Sequence, residues 1–122
     1  MIQLLKSKIH RATVTNADLN YEGSISIYSE FMDKAGIFEY EKVLVVDINN
    51  GQRFETYVIK GEDPDNAFQI NGAAARLVTV GDKIIILAFT FIDVEDRHKH
   101  EPKIIILEEG NKIKSVETEL HE

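Results

Sequence analysis

The chain has 122 residues and a net charge of −7, with 21 acidic and 14 basic side chains. This length predicts one domain with a single core, and the negative charge disfavours a nucleic-acid partner, whose phosphates it repels. Cysteine is absent, which excludes disulfides, thiolate metal ligands and a cysteine nucleophile. The longest apolar stretch, residues 84–92, is about half of a membrane-spanning helix, and the first residues lack a signal-like apolar run. We therefore expect a cytoplasmic protein without a membrane partner.

Short runs rich in β-branched and aromatic residues, bounded by turn residues, recur along the chain and predict strands. These strands lie at residues 2–5, 9–14, 24–28, 43–48, 53–59, 68–70, 83–92 and 103–107. The segment Asn49-Asn50-Gly51 between two of them is a strong hairpin signal. Residues 83–92 are so continuously apolar that we expect a strand without a solvent face.

Side-chain alternation assigns the two faces of the strands that carry polar residues. In the first strand region, the two faces carry Lys8 with His10 and Ile9 with Arg11. After the hairpin, one face of the returning strand carries Arg53, Glu55 and Tyr57, and the other carries Phe54, Thr56 and Val58.

The connections between the strands are predicted to be turns and short helices. Ser29 caps and Gly36 ends one short helix, and Asn71 with Gly72 can cap another over residues 73–77. Residues 16–20 are expected to form a turn or one helical turn. Loops or turns are expected at residues 61–66, 95–102 and 108–112, before a polar and frayed tail. Many short strands with small helices in the connections indicate an all-β barrel, because closure removes unpaired strand edges.

One dipeptide, Gly23-Ser24, stands between a polar turn and a strand. Alone it is typical of a turn. Its companions are Lys8-Ile9-His10-Arg11, Asp18-Leu19, the run 50–57 (Asn-Gly-Gln-Arg-Phe-Glu-Thr-Tyr) and the run 71–75 (Asn-Gly-Ala-Ala-Ala). With these motifs in this order, the chain from Met1 to about Phe91 resembles the pyruvoyl-dependent aspartate 1-decarboxylases. It departs from some relatives by asparagine in place of histidine at positions 16 and 20, outside the chemical residues.

The resemblance implies a six-stranded double-psi β-barrel that cuts its own Gly23–Ser24 bond, giving residues 1–23 and residues 24–122. Ser24 then becomes a pyruvoyl group, the covalent cofactor, whose ketone forms an imine with L-aspartate and draws electrons from Cα as CO2 leaves. The product is β-alanine for pantothenate biosynthesis. Pyridoxal phosphate is not expected, since the chain shows no glycine-rich phosphate cradle. A metal is not expected either. The expected assembly is a homotetramer with pockets between protomers.

The resemblance also implies roles for individual side chains. Tyr57 is the expected proton donor and Thr56 an aid to cleavage at Gly23. Arg53 and Lys8 are expected to bind the two substrate carboxylates, because a guanidinium can grip a carboxylate with two charged hydrogen bonds. The rest of the pocket is expected to consist of Asn71, Gly72, Ala73 and Ala74. Supporting candidates for positioning or proton transfer are His10, Tyr21 and Glu22.

Other interpretations remain open from the sequence. If the Gly23–Ser24 bond stays intact, the chain is a non-catalytic barrel that binds a small acid. A pyruvoyl enzyme that acts on another amino acid is also compatible with Arg53 and Lys8. The segment His98-Lys99-His100 suggests a metal site, but it lacks a third ligand and its cationic neighbours oppose an ion. We therefore predict a solvated loop there.

Overall fold

The computed structural model describes residues 1–118, which form nine strands, one α-helix and three short 3₁₀ helices. The strands are β1 (Ile2–Thr13), β2 (Asn16–Asp18), β3 (Ser24–Tyr28), β4 (Lys42–Asp47), β5 (Arg53–Gly61), β6 (Phe68–Asn71), β7 (Lys83–Ile92), β8 (Lys103–Glu108) and β9 (Lys112–Thr118). The helices are α1 (Ser29–Ala35) and the 3₁₀ helices Gly72–Leu77, Val94–Lys99 and Glu109–Asn111. No helix within these residues has the length and apolar character needed to cross a membrane.

All nine strands belong to one sheet, in the order β2-β6-β3-β5-β4-β7-β1-β8-β9. Three neighbouring pairs are parallel, namely β1 with β8, β2 with β6 and β3 with β5. The predicted all-β class with short helices is confirmed, and the arrangement is consistent with a barrel-like fold. Within residues 1–118 the two outer strands, β2 and β9, do not pair with each other, so the ladder is not closed.

Alternate side chains of the strands point into one hydrophobic core. The largest fully buried side chains are Phe68, Ile9, Ile25, Ile27, Ile70, Ile84, Ile86, Ile105, Val14, Val43, Val45 and Val58. Burying each such side chain contributes about 1.5–3 kcal/mol before the entropy of ordering is counted. Because β3, β5 and β6 all contribute to this core, its packing fixes which of their faces is presented to the candidate site.

Strand β1 is continuous, whereas two separate strands were predicted. Its pairing with β7 shifts register between Leu5 and Ser7 and again between His10 and Ala12. Arg11 lies in the second shift with a φ of 65°, as a bulge residue does. Ile9 and Ala12 are therefore buried while Arg11 is exposed. The predicted shared face of Ile9 and Arg11 is wrong, because the extra residue reverses the alternation.

Two segments predicted to be irregular are strands. Residues 16–18 form β2, because they pair in parallel with Gln69, Ile70 and Asn71 of β6. The segment after the last predicted turn forms β9, which pairs antiparallel with β8. The prediction of a frayed tail is therefore wrong up to residue 118, and its last four residues, 119–122, lie outside the described range.

The predicted helix and hairpin are confirmed, with one difference in capping. Helix α1 ends at Gly36, whose φ of 68° is left-handed, but its N-cap position is Tyr28 and no side chain caps it. The turn after β4 is closed by the Asp47 amide donating to the Gln52 carbonyl at 2.8 Å. Gly51 adopts a φ of 75°, which favours glycine.

Strand β7 was predicted to have no solvent face, and this is wrong. Ile84, Ile86 and Ala88 are fully buried, but Phe89 and Phe91 are 39% and 64% exposed. β1 pairs with β7 along its whole length, whereas β4 pairs only with residues 84–87, so the second half of β7 lies beyond its pairing with β4. Its continuous hydrophobicity therefore reflects the core on one face and exposed aromatic rings on the other.

A buried carboxyl group lies at the end of β4. Asp47 is fully buried, and its Oδ1 accepts a hydrogen bond from the Asn49 amide at 2.8 Å. Its Oδ2 has no hydrogen-bond partner among residues 1–118. Burial, followed by the influence of the neighbouring Asp82 carboxyl, raises the pKa of Asp47 to about 6. Above that pH, the folded protein carries a charged carboxylate at this buried position.

Asp47→Asn should therefore stabilise the protein at neutral pH. The folded-state pKa lies above the ordinary 3.8, so the contribution of Asp47 is complete at low pH and is lost as pH rises to about 6. The asparagine is neutral at every pH and so avoids a buried charge. Thermal unfolding from about pH 4 to about pH 8 should show a Tm gain of roughly 5 °C at the upper end. A gain that is the same at both ends contradicts a raised pKa at Asp47.

Candidate active site

The Gly23–Ser24 bond lies where the chain passes from the surface into the core. Tyr21, Glu22 and Gly23 are exposed, whereas Ser24, the first residue of β3, is fully buried. The alternation of Ile25 and Ile27 with polar residues does not by itself explain this burial. Residues of β6 and the following 3₁₀ helix contribute to it, because the Asn71 side chain contacts the Ser24 hydroxyl and Gly72 packs against Gly23.

The Ser24 hydroxyl is held by two hydrogen bonds. Asn71, which pairs with Ser24 across β3 and β6, donates from its Nδ2 to Ser24 Oγ at 2.9 Å. The hydroxyl in turn donates to the Glu22 carbonyl at 3.2 Å. Asn71 is itself fully buried, so its amide donates to the hydroxyl at a position shielded from solvent. The side chain was predicted to be able to cap the following helix, but it makes no cap bond.

Gly72 packs directly against Gly23. It has a φ of 75°, and a Cβ atom there would lie 2.6 Å from Gly23 Cα and 2.8 Å from Gly23 N. Both distances are too short for any real Cβ contact. The third close atom is the Tyr21 carbonyl oxygen, at 3.1 Å. A glycine at position 72 therefore allows the start of the 3₁₀ helix Gly72–Leu77 to pack closely against the Gly23–Ser24 junction.

The next two residues of this helix, Ala73 and Ala74, are exposed and half-buried, respectively. Glu22 and Tyr21 line a shallow pocket of about 380 Å³ on the surface nearby, and the Tyr21 ring is 51% exposed.

Strand β5 brings Thr56 and Tyr57 alongside β3. The two strands are parallel, with Ile25 paired to Val58, and the same register continued by one residue aligns Ser24 with Tyr57. Paired residues present their side chains on the same face of a sheet. The register therefore aligns Asn71, Ser24 and Tyr57 in one row across three neighbouring strands. Thr56 and Tyr57 are both half-buried.

The predicted cations lie further away in the sheet. Arg53 is exposed and begins β5, four residues before Tyr57, which is about 13 Å along a strand. Lys8 and His10 lie on β1, which three strands, β5, β4 and β7, separate from β3. Burial, with smaller contributions from Lys8 and Arg11, lowers the pKa of His10. Its Nδ1 is buried without a hydrogen-bond partner among residues 1–118.

The histidines of the segment 98–100 are separated by their surroundings. His98 is exposed, whereas Nε2 of His100 contacts the Leu5 carbonyl and ties this loop to β1. Within residues 1–118 no three histidine or acidic side chains are grouped as metal ligands would be.

Polar residues around Asn71 were missed by the sequence analysis. Asn71 also donates to Ser26 Oγ at 3.2 Å, and its Oδ1 accepts a hydrogen bond from Gln69 Nε2 at 2.7 Å. The signal was present, because Gln69 and Asn71 are two apart in β6, as Ser24 and Ser26 are in β3. Residues with that spacing share a face of the sheet.

The fold and the site together define a class of protein: an all-β domain in which a glycine-serine junction enters the core beside a buried asparagine and a closely packed glycine. Comparison with known proteins identifies the family. The family model for aspartate decarboxylase matches residues 1–114, and the chain belongs to that family.

Individual relatives agree along nearly the whole chain. A protein of Caldicellulosiruptor bescii named aspartate 1-decarboxylase is 61% identical over 112 residues, covering 92% of this chain and 88% of the relative. Its namesake from Caldicellulosiruptor saccharolyticus is 60% identical over 113 residues, with 93% and 88% covered. One from Clostridium botulinum (strain ATCC 19397 / Type A) is 53% identical over 115 residues, with 94% and 91% covered.

Proposed function

We propose that this protein cuts itself between Gly23 and Ser24 and then decarboxylates L-aspartate to β-alanine and CO2, which supplies pantothenate biosynthesis. One observation carries the proposal: a fully buried serine hydroxyl at a glycine-serine bond is held by a buried asparagine amide, with Gly72 packed against Gly23. Membership of the aspartate decarboxylase family supports the reaction and the substrate.

Self-cleavage begins with attack by Ser24 Oγ on the Gly23 carbonyl carbon. The carbon–nitrogen bond breaks, the hydroxyl proton passes to the nitrogen, and an ester results. Loss of the Ser24 Cα proton then breaks the Cβ–oxygen bond, which releases the Gly23 carboxylate and leaves dehydroalanine. Water finally displaces the amine as ammonia. Thr56, with His10, Tyr21 and Glu22 as further candidates, assists this sequence.

The surroundings of Ser24 fit a pyruvoyl group made in place. The group is small and uncharged, and Asn71 already provides a directed donor at this position. When present, the pyruvoyl ketone accepts the substrate amine and withdraws the electrons that CO2 leaves behind. No bound cofactor has to be recognised, because the reactive carbonyl is part of the chain itself.

The chain's own residues bind the substrate and supply its proton. Arg53 and Lys8 hold the two carboxylates of L-aspartate, and Tyr57 donates a proton to substrate Cα. Asn71, Gly72, Ala73 and Ala74 form the wall opposite β5.

The proposed assembly is a homotetramer in which a neighbouring protomer completes each pocket. Two features support this assembly. Three strands separate Lys8 and His10 from β3 in the sheet order of one chain, and the Phe89 and Phe91 rings are exposed on β7. A barrel of this size has little room for a deep site of its own. Light scattering should give a tetramer, and a fully active monomer would contradict the shared pocket.

The activity is tested by incubating the purified chain with L-aspartate and measuring β-alanine and CO2. We expect one β-alanine per CO2, with L-glutamate and L-alanine turned over at least ~100-fold more slowly because their carboxylates do not match the two cations. If the protein preferred a different amino acid, the proposed substrate would be wrong, whereas the proposed self-cleavage would be unaffected.

Arg53→Lys should lower kcat/KM for L-aspartate by roughly 10–100-fold, since a point charge replaces a planar two-pronged donor. Cleavage at Gly23 should continue, because Arg53 lies four residues from the strand position aligned with Ser24. Arg97→Lys is the matched control: that arginine lies in the 3₁₀ helix between β7 and β8 and donates to the Val94 carbonyl. Equal kcat/KM values for Arg53→Lys and Arg97→Lys would remove Arg53 from the binding site.

A further inference from the structure

A chain of side-chain hydrogen bonds runs from the backbone of β6 to Ser24. Thr15 Oγ1 donates to Asn66 Oδ1 at 2.7 Å, and Asn66 Nδ2 donates to Gln69 Oε1 at 2.7 Å. Gln69 Nε2 donates to Asn71 Oδ1 at 2.7 Å, and Asn71 Nδ2 donates to Ser24 Oγ at 2.9 Å. We call Thr15, Asn66, Gln69 and Asn71 the amide relay.

The outer end of the amide relay is bound to the backbone at Phe68. The Phe68 amide donates to Thr15 Oγ1 at 3.0 Å, so the Thr15 hydroxyl directs its own proton to another group. Two acceptors lie within hydrogen-bond distance of that hydroxyl: Asn66 Oδ1 at 2.7 Å and the Phe68 carbonyl, which also accepts the Thr15 amide, at 2.8 Å. The outer end is thus compatible with the direction of the relay but does not by itself fix it.

The direction of the amide relay is fixed at Gln69 by the backbone amide of Ala17. The Ala17 amide donates to Asn16 Oδ1 at 2.9 Å, so Asn16 presents its Nδ2 to Gln69. That nitrogen donates to Gln69 Oε1 at 3.0 Å. Gln69 Oε1 therefore accepts two hydrogen bonds, from Asn16 and Asn66, and the only polar atom that Gln69 can offer Asn71 is its Nε2 donor.

This polarity decides what Asn71 does to Ser24. With Oδ1 occupied by Gln69, Asn71 must point its Nδ2 donors at Ser24 Oγ and Ser26 Oγ. A donor aimed at Oγ stabilises the negative charge that develops on this oxygen as it loses its proton. If the amide of Asn71 were reversed, an acceptor would face Ser24 and oppose that charge.

We infer that Gln69 is a positioning residue for self-cleavage: it fixes the amide of Asn71 so that a donor faces Ser24 Oγ. The inference rests on the proposed self-cleavage of the Gly23–Ser24 bond. In the described part of the chain, the Gln69 side chain is hydrogen-bonded to Asn16, Asn66 and Asn71 and not to Ser24, so it acts through Asn71.

Gln69→Glu tests this role because it keeps the size and shape of the side chain while replacing its donor with a charged acceptor. An ionised glutamate can only accept, so Asn71 must turn its Nδ2 toward residue 69 and present Oδ1 to Ser24. The parent and the variant are made by cell-free synthesis in the cold, so that the chains are still uncut. They are then warmed, and the fraction of intact chain is measured over time by mass spectrometry. At about pH 7 the variant should cleave about tenfold or more slowly than the parent.

Lowering the pH provides a readout that a general structural role would not change. Below about pH 4.3, the ordinary pKa of glutamate, the protonated side chain can again donate to Asn71. The ratio of variant to parent rates should therefore rise toward one as pH falls. Gln3→Glu is the matched control, since Gln3 is exposed on β1, and its ratio should stay near one throughout.

The outcomes separate this inference from the proposed function. A Gln69→Glu variant that cleaves like the parent at neutral pH, or is slowed equally at every pH, overturns the positioning role while self-cleavage stands. A parent that never cleaves overturns the proposed function and this inference with it. If the glutamate variant does not fold, Gln69→Leu takes its place. We expect Gln69→Leu to cleave at least about threefold more slowly than the parent, by a factor that does not vary with pH. Cleavage at the parental rate overturns the inference.

Discussion

Ser24→Ala should remain one uncut chain and produce no measurable β-alanine. Ser24 supplies the only hydroxyl that attacks the preceding carbonyl in the proposed reaction, and alanine offers neither a nucleophile nor an oxygen that can leave from Cβ. The variant should fold, because the change removes one buried atom and its hydrogen bonds with Asn71 and the Glu22 carbonyl. Intact mass and far-ultraviolet circular dichroism measure the two expectations.

Ser26→Ala is the matched control for this substitution. Ser26 lies two residues further along β3 and accepts a weaker hydrogen bond from the same Asn71 nitrogen, at 3.2 Å. It should cleave within a few-fold of the parental rate and then turn over L-aspartate. Cleavage in Ser24→Ala, or loss of cleavage in Ser26→Ala alone, would show that Ser24 is not the nucleophile.

Tyr57→Phe should cleave and bind L-aspartate but turn over at least ~100-fold more slowly, the lower end of what a positioned acid or base contributes. The ring is kept, so the half-buried packing of β5 against its neighbours should survive. The loss is confined to the hydroxyl that we assign to protonation of substrate Cα. The measurement is kcat on fully cleaved protein, which separates turnover from processing.

Tyr28→Phe provides the comparison for Tyr57→Phe. Tyr28 ends β3 and packs edge-on against the Phe31 ring, with centroids 6.2 Å apart. Its hydroxyl has no proposed part in the reaction, so kcat should stay within a few-fold of the parent. A similar kcat for both variants would mean that another group or water delivers the proton.

The all-β class followed from the sequence because short β-branched runs and glycine or asparagine turns are local signals. The hairpin at residues 49–51 and the helix ending at Gly36 are local in the same sense. Strand β2 could not be predicted this way, because its three residues are held by pairing with β6, about fifty residues later. The bulge at Arg11 was missed for a similar reason, since it depends on the register against β7.

The site was predictable in its residue types but not in its connections. Gly23, Ser24 and Asn71 stood out through the family resemblance. That Asn71 faces Ser24, and that Gly72 presses on Gly23, depends on the antiparallel pairing of β3 with β6. The amide relay needs β2, β3 and β6 in adjacent positions, so no pattern within one segment indicates it. Likewise, the separation of Lys8 from β3 is a property of strand order, which the sequence does not contain.

The most direct test of the account is the intact mass of the freshly purified chain. We predict two species, residues 1–23 with a free carboxylate at Gly23, and residues 24–122 beginning with a group lighter than serine by one ammonia. A hydrazide or other carbonyl reagent should add to the larger species alone. A single uncut chain after prolonged incubation, with and without extract of the source cells, would contradict self-processing at Gly23–Ser24.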